Sequence, residues 1–144
     1  MIYVIIILSI FIGDGFIKKY IEETKQYGKD EKILKGRIIL SKYHNSGAML
    51  NFLEKQKEVV LALSCFILGI VLTLFAILLP KKENKLLKFG LSLIIGGALS
   101  NTYDRIKKGY VVDYFSFSWL KKVIFNISDI CIFIGTLLAS LAKR

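Results

Sequence analysis

The chain alternates long apolar runs with charged connections. Four runs, residues 1–17, 59–79, 86–102 and 123–142, approach the length that crosses a bilayer as a helix, about 20 apolar residues. Val59 to Leu79 carries no charge at all. The first run holds one acid, Asp14; the third is rich in Gly, Ala and Ser; the fourth is interrupted by Asn126 and Asp129. Small residues let helices approach closely in lipid. Only Pro80-Lys-Lys-Glu-Asn-Lys85 separates the second and third runs, and proline ends a helix, so these two form an antiparallel hairpin. Four spans put both termini on one side and segments 18–58 and 103–122 on the other. The first run has no basic residue before it and no small-residue cleavage site behind it, so a cleaved secretory signal fits poorly.

The two longer connections have patterns of their own. Arg37 to Tyr43 is apolar and β-branched, as in a strand, and His44-Asn45-Ser46-Gly47 follows as a turn signal. Tyr110 to Ser118 is strand-like again. The expected fold is therefore an all-α polytopic membrane protein: four transmembrane helices forming one domain over residues 1–144, with a small β-sheet resting on one end of the bundle.

Composition agrees with lipid as the solvent. Hydrophobic residues make up 54% of the 144, and the mean hydropathy is +0.55, whereas soluble domains carry about 45–50% apolar residues even with glycine included. The net charge of +10 raises nucleic acid as a partner. The basic residues are spread over both ends of the spans, so anionic lipid is the better account and no nucleic-acid partner is expected. Residues 18–58 carry ten basic residues against six acids, while the opposite side gathers Lys81, Lys82, Lys85, Lys88, Lys143 and Arg144. Counting Lys and Arg over loops leaves the orientation open. Cys65 and Cys131 lie within apolar runs and are expected to pack; with one histidine, neither a disulfide framework nor a zinc site is expected.

Charge inside a span costs about 2.5 kcal/mol or more at its centre, so the acids of the runs and their edges are the candidates for function. Asp14 and Lys18 are four apart on one helix face and can pair, either to anchor the helix end or to touch a substrate. Gly97, Asn101, Asp104 and Arg105 share one face of the third run. Asp104 and Arg105 can satisfy each other and the local backbone, and Arg105 could equally hold a carboxylate or carbonyl. Asp113 stands among valines and aromatics with no basic residue within four positions, poorly solvated and so with a raised pKa. Asp129 lies roughly two turns into the fourth run, three residues after Asn126. Two carboxylates that approach closely share a proton. One can then take a proton from water while the other protonates an amide oxygen, which is peptide hydrolysis without metal or cofactor. His44 is expected to be a surface or hydrogen-bonding residue.

These residues stand in a familiar order. The sequence resembles the bacterial lipoprotein signal peptidases, or signal peptidase II, over nearly its whole length. The resemblance rests on Asp14 with Lys18; Asn45-Ser-Gly-Ala48; Gly96-Gly-Ala-Leu-Ser-Asn-Thr-Tyr-Asp-Arg105; Val111-Val-Asp-Tyr114; and Phe125-Asn-Ile-Ser-Asp129. It implies an intramembrane aspartic peptidase of the bacterial cytoplasmic membrane, with both termini in the cytoplasm and the site on the extracytoplasmic face. It implies a substrate, a prolipoprotein cut before a diacylglyceryl-modified cysteine, and inhibition by globomycin-type cyclic peptides. It places catalysis on Asp113 and Asp129, puts Asn45, Gly47, Asn101, Arg105 and Asn126 around them, and gives Asp14, Lys18 and Asp104 supporting roles. The chain departs from the family pattern at Gly15, Ile17, Met49, Leu50 and Ser128. Two other readings of the same acids are a small transporter or proton-relay subunit and a relative that binds lipopeptides without cutting them.

Overall fold

The computed structural model describes residues 1–47, 53–120 and 123–142. Residues 48–52, 121–122 and 143–144, among them Ala48, Met49 and Leu50, lie outside the described residues. In chain order the elements are α1 (Ile2–Thr24), β1 (Glu31–Ile33), a 3-10 turn (Leu34–Gly36), β2 (Ile38–Asn45), α2 (Lys57–Leu78), α3 (Lys85–Lys108), β3 (Val111–Phe117) and α4 (Ile127–Leu141). α3 packs against α1, α2 and α4. The strands form one antiparallel sheet in the order β1-β2-β3, where two strands were expected.

Each helix ends where its backbone finds another partner. α2 stops before Pro80 with Leu79 as its C-cap. α3 closes on Gly109, left-handed at φ 78°, whose N–H bonds the Arg105 carbonyl at 3.0 Å, the conformation glycine adopts most readily at a helix end. α4 opens with a capping box: the Asn126 side chain accepts from the Asp129 N–H at 2.9 Å, and the Asp129 carboxylate accepts from the Asn126 N–H at 3.0 Å. Apolar runs predict these limits imperfectly, because hydropathy marks where lipid ends and hydrogen bonding marks where the helix ends. α1 runs seven residues past the expected Ile17, and α3 six past Thr102. α4 starts at Ile127 and not at Val123, because Phe125 pairs with Phe115 at the sheet, with N–H to carbonyl distances of 2.7 and 3.0 Å. Asp129 therefore sits in the first turn of α4, not two turns inside it. His44 and Asn45 belong to β2 instead of to a turn.

Two apolar clusters hold the elements together. Ile7, Leu68, Phe75, Leu91 and Ile95 fill the bundle, and Ile21, Val112 and Tyr114 join the sheet to α1. Lys88, also buried, gives its ammonium to the Lys81 carbonyl at 2.5 Å and lies 5.5 Å from the centre of the Tyr3 ring. It ties the α2–α3 turn to the start of α1. Among the described residues α2 alone is long and apolar enough to cross a bilayer by itself; α4 is apolar but shorter. α2 buries Val60, Leu68 and Phe75 on one stripe and leaves Phe66, Ile67 and Ile77 outside. Cys65 is exposed on the same helix, contrary to its expected packing role.

The glycines of α3 set how near its neighbours come. A Cβ on Gly97 would lie 2.5 Å from the Ser128 carbonyl oxygen, and one on Gly90 2.7 Å from that of Gly135; on Gly96 it would meet the Ile10 Cβ of α1 at 2.9 Å. We expect Gly97→Ala to push the first turn of α4 away, costing about 1–3 kcal/mol as overpacking does. It should lower the melting temperature in detergent by several degrees. Gly13→Ala, where an added Cβ has nothing within 4 Å, should not lower it.

Candidate active site

At the sheet end of the bundle four segments bring their polar residues to one place. The last turns of α3 supply Ser100, Asn101, Asp104 and Arg105. The N-cap and first turn of α4 supply Asn126, Ser128 and Asp129. β3 supplies Asp113 and Tyr114, and the end of β2 supplies Asn45 and the nearby Gly47. With Asp14 and Lys18 of α1, a fifth segment, all ten residues singled out in the sequence lie in this assembly, in two connected layers.

Asn126, fully buried, bridges the two candidate carboxylates. Its side-chain amide donates to Asp113 Oδ1 at 2.7 Å, and its backbone N–H reaches Asp129 Oδ2 at 3.0 Å. Its carbonyl oxygen accepts the Asp129 N–H, which leaves the amide nitrogen facing Asp113. Asn45 Nδ2 donates to Asp113 Oδ2 at 3.0 Å, and Asn101 Nδ2 to Asp129 Oδ1 at 2.9 Å. Each carboxylate oxygen thus accepts one bond from these donors and keeps a second lone pair for a further partner.

The layer beneath centres on Asp14 and Lys18 of α1, each 1% exposed. Lys18 Nζ lies 3.0 Å from Asp14 Oδ2 and 3.3 Å from Asp104 Oδ2, and donates to Ser100 Oγ and Asn101 Oδ1 at 2.9 Å each. The Asp14–Lys18 pair is thus a buried junction and not a helix-end anchor in water. Asp104 also pairs with Lys108 at 2.9 Å and accepts the Val112 N–H at 3.2 Å. It thereby ties α3 to β3 instead of serving only as a local helix-end charge. Arg105 gives its terminal nitrogens to the carbonyls of Gly47, at 3.0 Å, and Asn101. Ser100 was not foreseen as part of the site. Its only signal is its place one turn before Asp104, on a small-residue stretch of a span. Tyr114 and Ser128 were visible only as neighbours of the two aspartates. His44 does form the hydrogen bond expected of it, to Glu22 Oε1 at 2.7 Å, and stacks on Tyr110 with ring centres 4.0 Å apart.

The environment favours a proton on Asp113. Burial raises its pKa to about 7, with the neighbouring Asp129 charge adding to the shift and the Asn45 and Asn126 donors opposing it. Such a site can keep a proton on Asp113 at neutral pH beside the neighbouring Asp129. Among the described residues no three His, Cys, Asp or Glu side chains converge to hold a metal ion.

The protein is similar over most of its length to known proteins. The sequence profile of the family described as Signal peptidase (SPase) II matches residues 6–143. The lipoprotein signal peptidase of Clostridium tetani is 36% identical over 138 residues, covering 94% of this chain and 86% of that protein. That of Lactobacillus johnsonii is 31% identical over 137 residues, 95% of this chain and 88% of the other. Among solved structures, a bacterial membrane enzyme determined by the in meso method at 2.3 Å superposes with a TM-score of 0.81 at 26% identity, covering 94% of this chain and 83% of that one. A second, at 1.9 Å, gives 0.80 at 26% identity over 99% and 94%.

A folded-state pKa raised above the unfolded value means that Asp113 favours the folded form at low pH. That contribution is lost as pH rises from the ordinary carboxylate range through about 7. We expect the melting temperature in detergent to fall between about pH 4.5 and pH 8, and to fall less in Asp113→Asn. Equal slopes in the two proteins would contradict the assignment.

Proposed function

The chain belongs to the signal peptidase II family, and we propose that it is an intramembrane aspartic endopeptidase whose catalytic pair is Asp113 and Asp129. As a lipoprotein signal peptidase and bacterial membrane enzyme, it removes signal peptides from prolipoproteins. In our reading the cut falls just before a cysteine carrying a diacylglyceryl group. The observation that carries this is the junction at Asn126: aspartates from β3 and α4 touch one buried amide residue at the end of an otherwise apolar bundle.

The chemistry follows from that junction. Asp129 accepts a proton from a water molecule as its oxygen attacks the scissile carbonyl carbon. Asp113, holding its proton near neutrality, gives it to the carbonyl oxygen. The resulting diol collapses with proton transfer to the leaving nitrogen, and the C–N bond breaks. Asn45, Asn101 and Asn126 aim the two carboxylates. Arg105 holds the segment at Gly47 beside them and faces the peptide, while Asp14, Lys18 and Asp104 support from below. No cofactor takes part. A proton relay would not require the two aspartates to meet, and their meeting at Asn126 favours hydrolysis.

The same reading makes residues 1–144 one domain with four spans in the cytoplasmic membrane. Both termini face the cytoplasm and the sheet lies on the outer face. The exposed apolar flanks of α1, α2 and α4 then meet lipid, and the lipidated substrate reaches the site within the plane of the bilayer. Globomycin-type cyclic peptides would compete at the same site.

A gel-shift assay in detergent tests this, with a diacylglyceryl-modified prolipoprotein beside its unlipidated precursor. The wild-type protein should cleave the lipidated form only, with activity falling on both sides of a pH optimum. Asp113→Asn and Asp129→Asn should each lose at least about a thousandfold in rate, the scale on which a proton-transfer group and its partner act together. Turnover retained in either folded variant would remove the pair.

A further inference from the structure

Three hydroxyls converge on the buried Asp14 carboxylate: Ser100 of α3 donates to Oδ2 at 2.6 Å, and the other two belong to residues next to the catalytic pair. Tyr114 follows Asp113 in β3, and Ser128 precedes Asp129 in α4. Tyr114 donates its O–H to Asp14 Oδ1 at 2.7 Å, and Ser128 donates its own to Asp14 Oδ2 at 2.5 Å. The Tyr114 oxygen also accepts the Ile127 N–H at 2.9 Å, one of the donors that the first turn of a helix leaves unpaired. The side chains of Asp14, Tyr114 and Ser128 are buried, with Asp14 1% and Tyr114 4% exposed and Ser128 fully covered. Burial and the Asp14 charge hold the Tyr114 hydroxyl protonated, so it remains a donor. Residues 126 to 129 are thus each tied elsewhere: Asn126 to Asp113, Ile127 to Tyr114, Ser128 to Asp14, and Asp129 to Asn101.

We propose that Tyr114 and Ser128 are positioning residues of this peptidase, whose hydroxyls clamp β3 and the first turn of α4 to Asp14 and so set the spacing of Asp113 and Asp129. The inference rests on the proposed catalytic pair. Both hydroxyls donate to Asp14 and not to Asp113 or Asp129. Both act through the backbone that carries each aspartate. Spacing matters because the two apparent pKa values of a carboxylate pair separate only as far as the charges interact. A looser clamp weakens that interaction and narrows the pH range over which one proton is shared.

The test compares wild type, Tyr114→Phe, Ser128→Ala and the double variant with a diacylglyceryl-modified prolipoprotein, measuring kcat, KM and the width of the pH profile. Each single variant should lose about ten- to a hundredfold in kcat, the scale of a small misplacement of catalytic groups. KM should stay within about twofold, and the acid and alkaline limbs should move towards each other. A merely structural role would lower the amount of active enzyme equally at every pH and leave the width unchanged. That result, or wild-type kcat and width in the folded double variant, overturns the clamp. If Tyr114→Phe fails to fold, Ser128→Ala, which removes a single atom, carries the test. Loss of cleavage in Asp113→Asn with wild-type behaviour in both hydroxyl variants rejects the clamp and keeps the catalytic pair. No cleavage by folded wild type rejects both.

Discussion

The ammonium of Lys18 is 1% exposed, and a charge so placed has to be answered on every side. Removing an ion from water costs several kcal/mol, which is recovered only with good geometry and further hydrogen bonds. Here the answer comes from two carboxylates, a serine and an asparagine. Asp14 comes from its own helix, and Ser100, Asn101 and Asp104 come from α3. Those partners have obligations of their own. Asp14 also takes hydroxyls from β3 and α4, and Asp104 takes the Val112 N–H of β3. Four segments far apart in sequence are therefore drawn to one point, and the orientation of each side chain there is constrained by its neighbours.

Close helix approach makes that convergence sterically feasible. Gly97 faces the Ser128 carbonyl and Gly96 faces Ile10 with no room for a methyl group. The polar junction lies directly beyond this glycine pair on α3. Ser100 and Asn101 follow within one turn and inherit the short distance to α1 and α4. Packing and polar chemistry are thus two consequences of one helix face. A side chain at Gly97 would displace the α4 backbone that carries both Ser128 and Asp129.

The placement of the two carboxylates follows from the elements that carry them. Asp113 is buried enough to hold a proton near neutral pH, yet it stands on β3, outside the helical bundle. Asp129 is in the first turn of α4, where its carboxylate accepts a backbone N–H, instead of deeper among apolar side chains. The amide residues around them have donors and acceptors in fixed orientation.

Much of this was legible in the order of residues. Apolar runs located all four helices, and β-branched stretches located β2 and β3, because periodicity and burial leave their mark on every position of an element. The candidate acids, Lys18, Arg105 and the amides of the third and fourth runs stood out because a charge or amide in or beside an apolar run is costly and has to have a reason to be there, whereas Asn45 and Gly47 were picked out only by the family resemblance. Helix limits were less legible: the Asn126 cap and the Phe125 bridge depend on partners that local hydropathy does not register. β1 was missed because three residues, Glu31–Ile33, carry no pattern of their own and become a strand only by pairing with β2. Ser100, Tyr114 and Ser128 were not distinguishable from ordinary small or aromatic residues. Their roles exist only when α1 brings Asp14 within reach of α3, β3 and α4. A sequence records the cost of placing each residue; which partners meet that cost is decided by distances that only the folded chain creates.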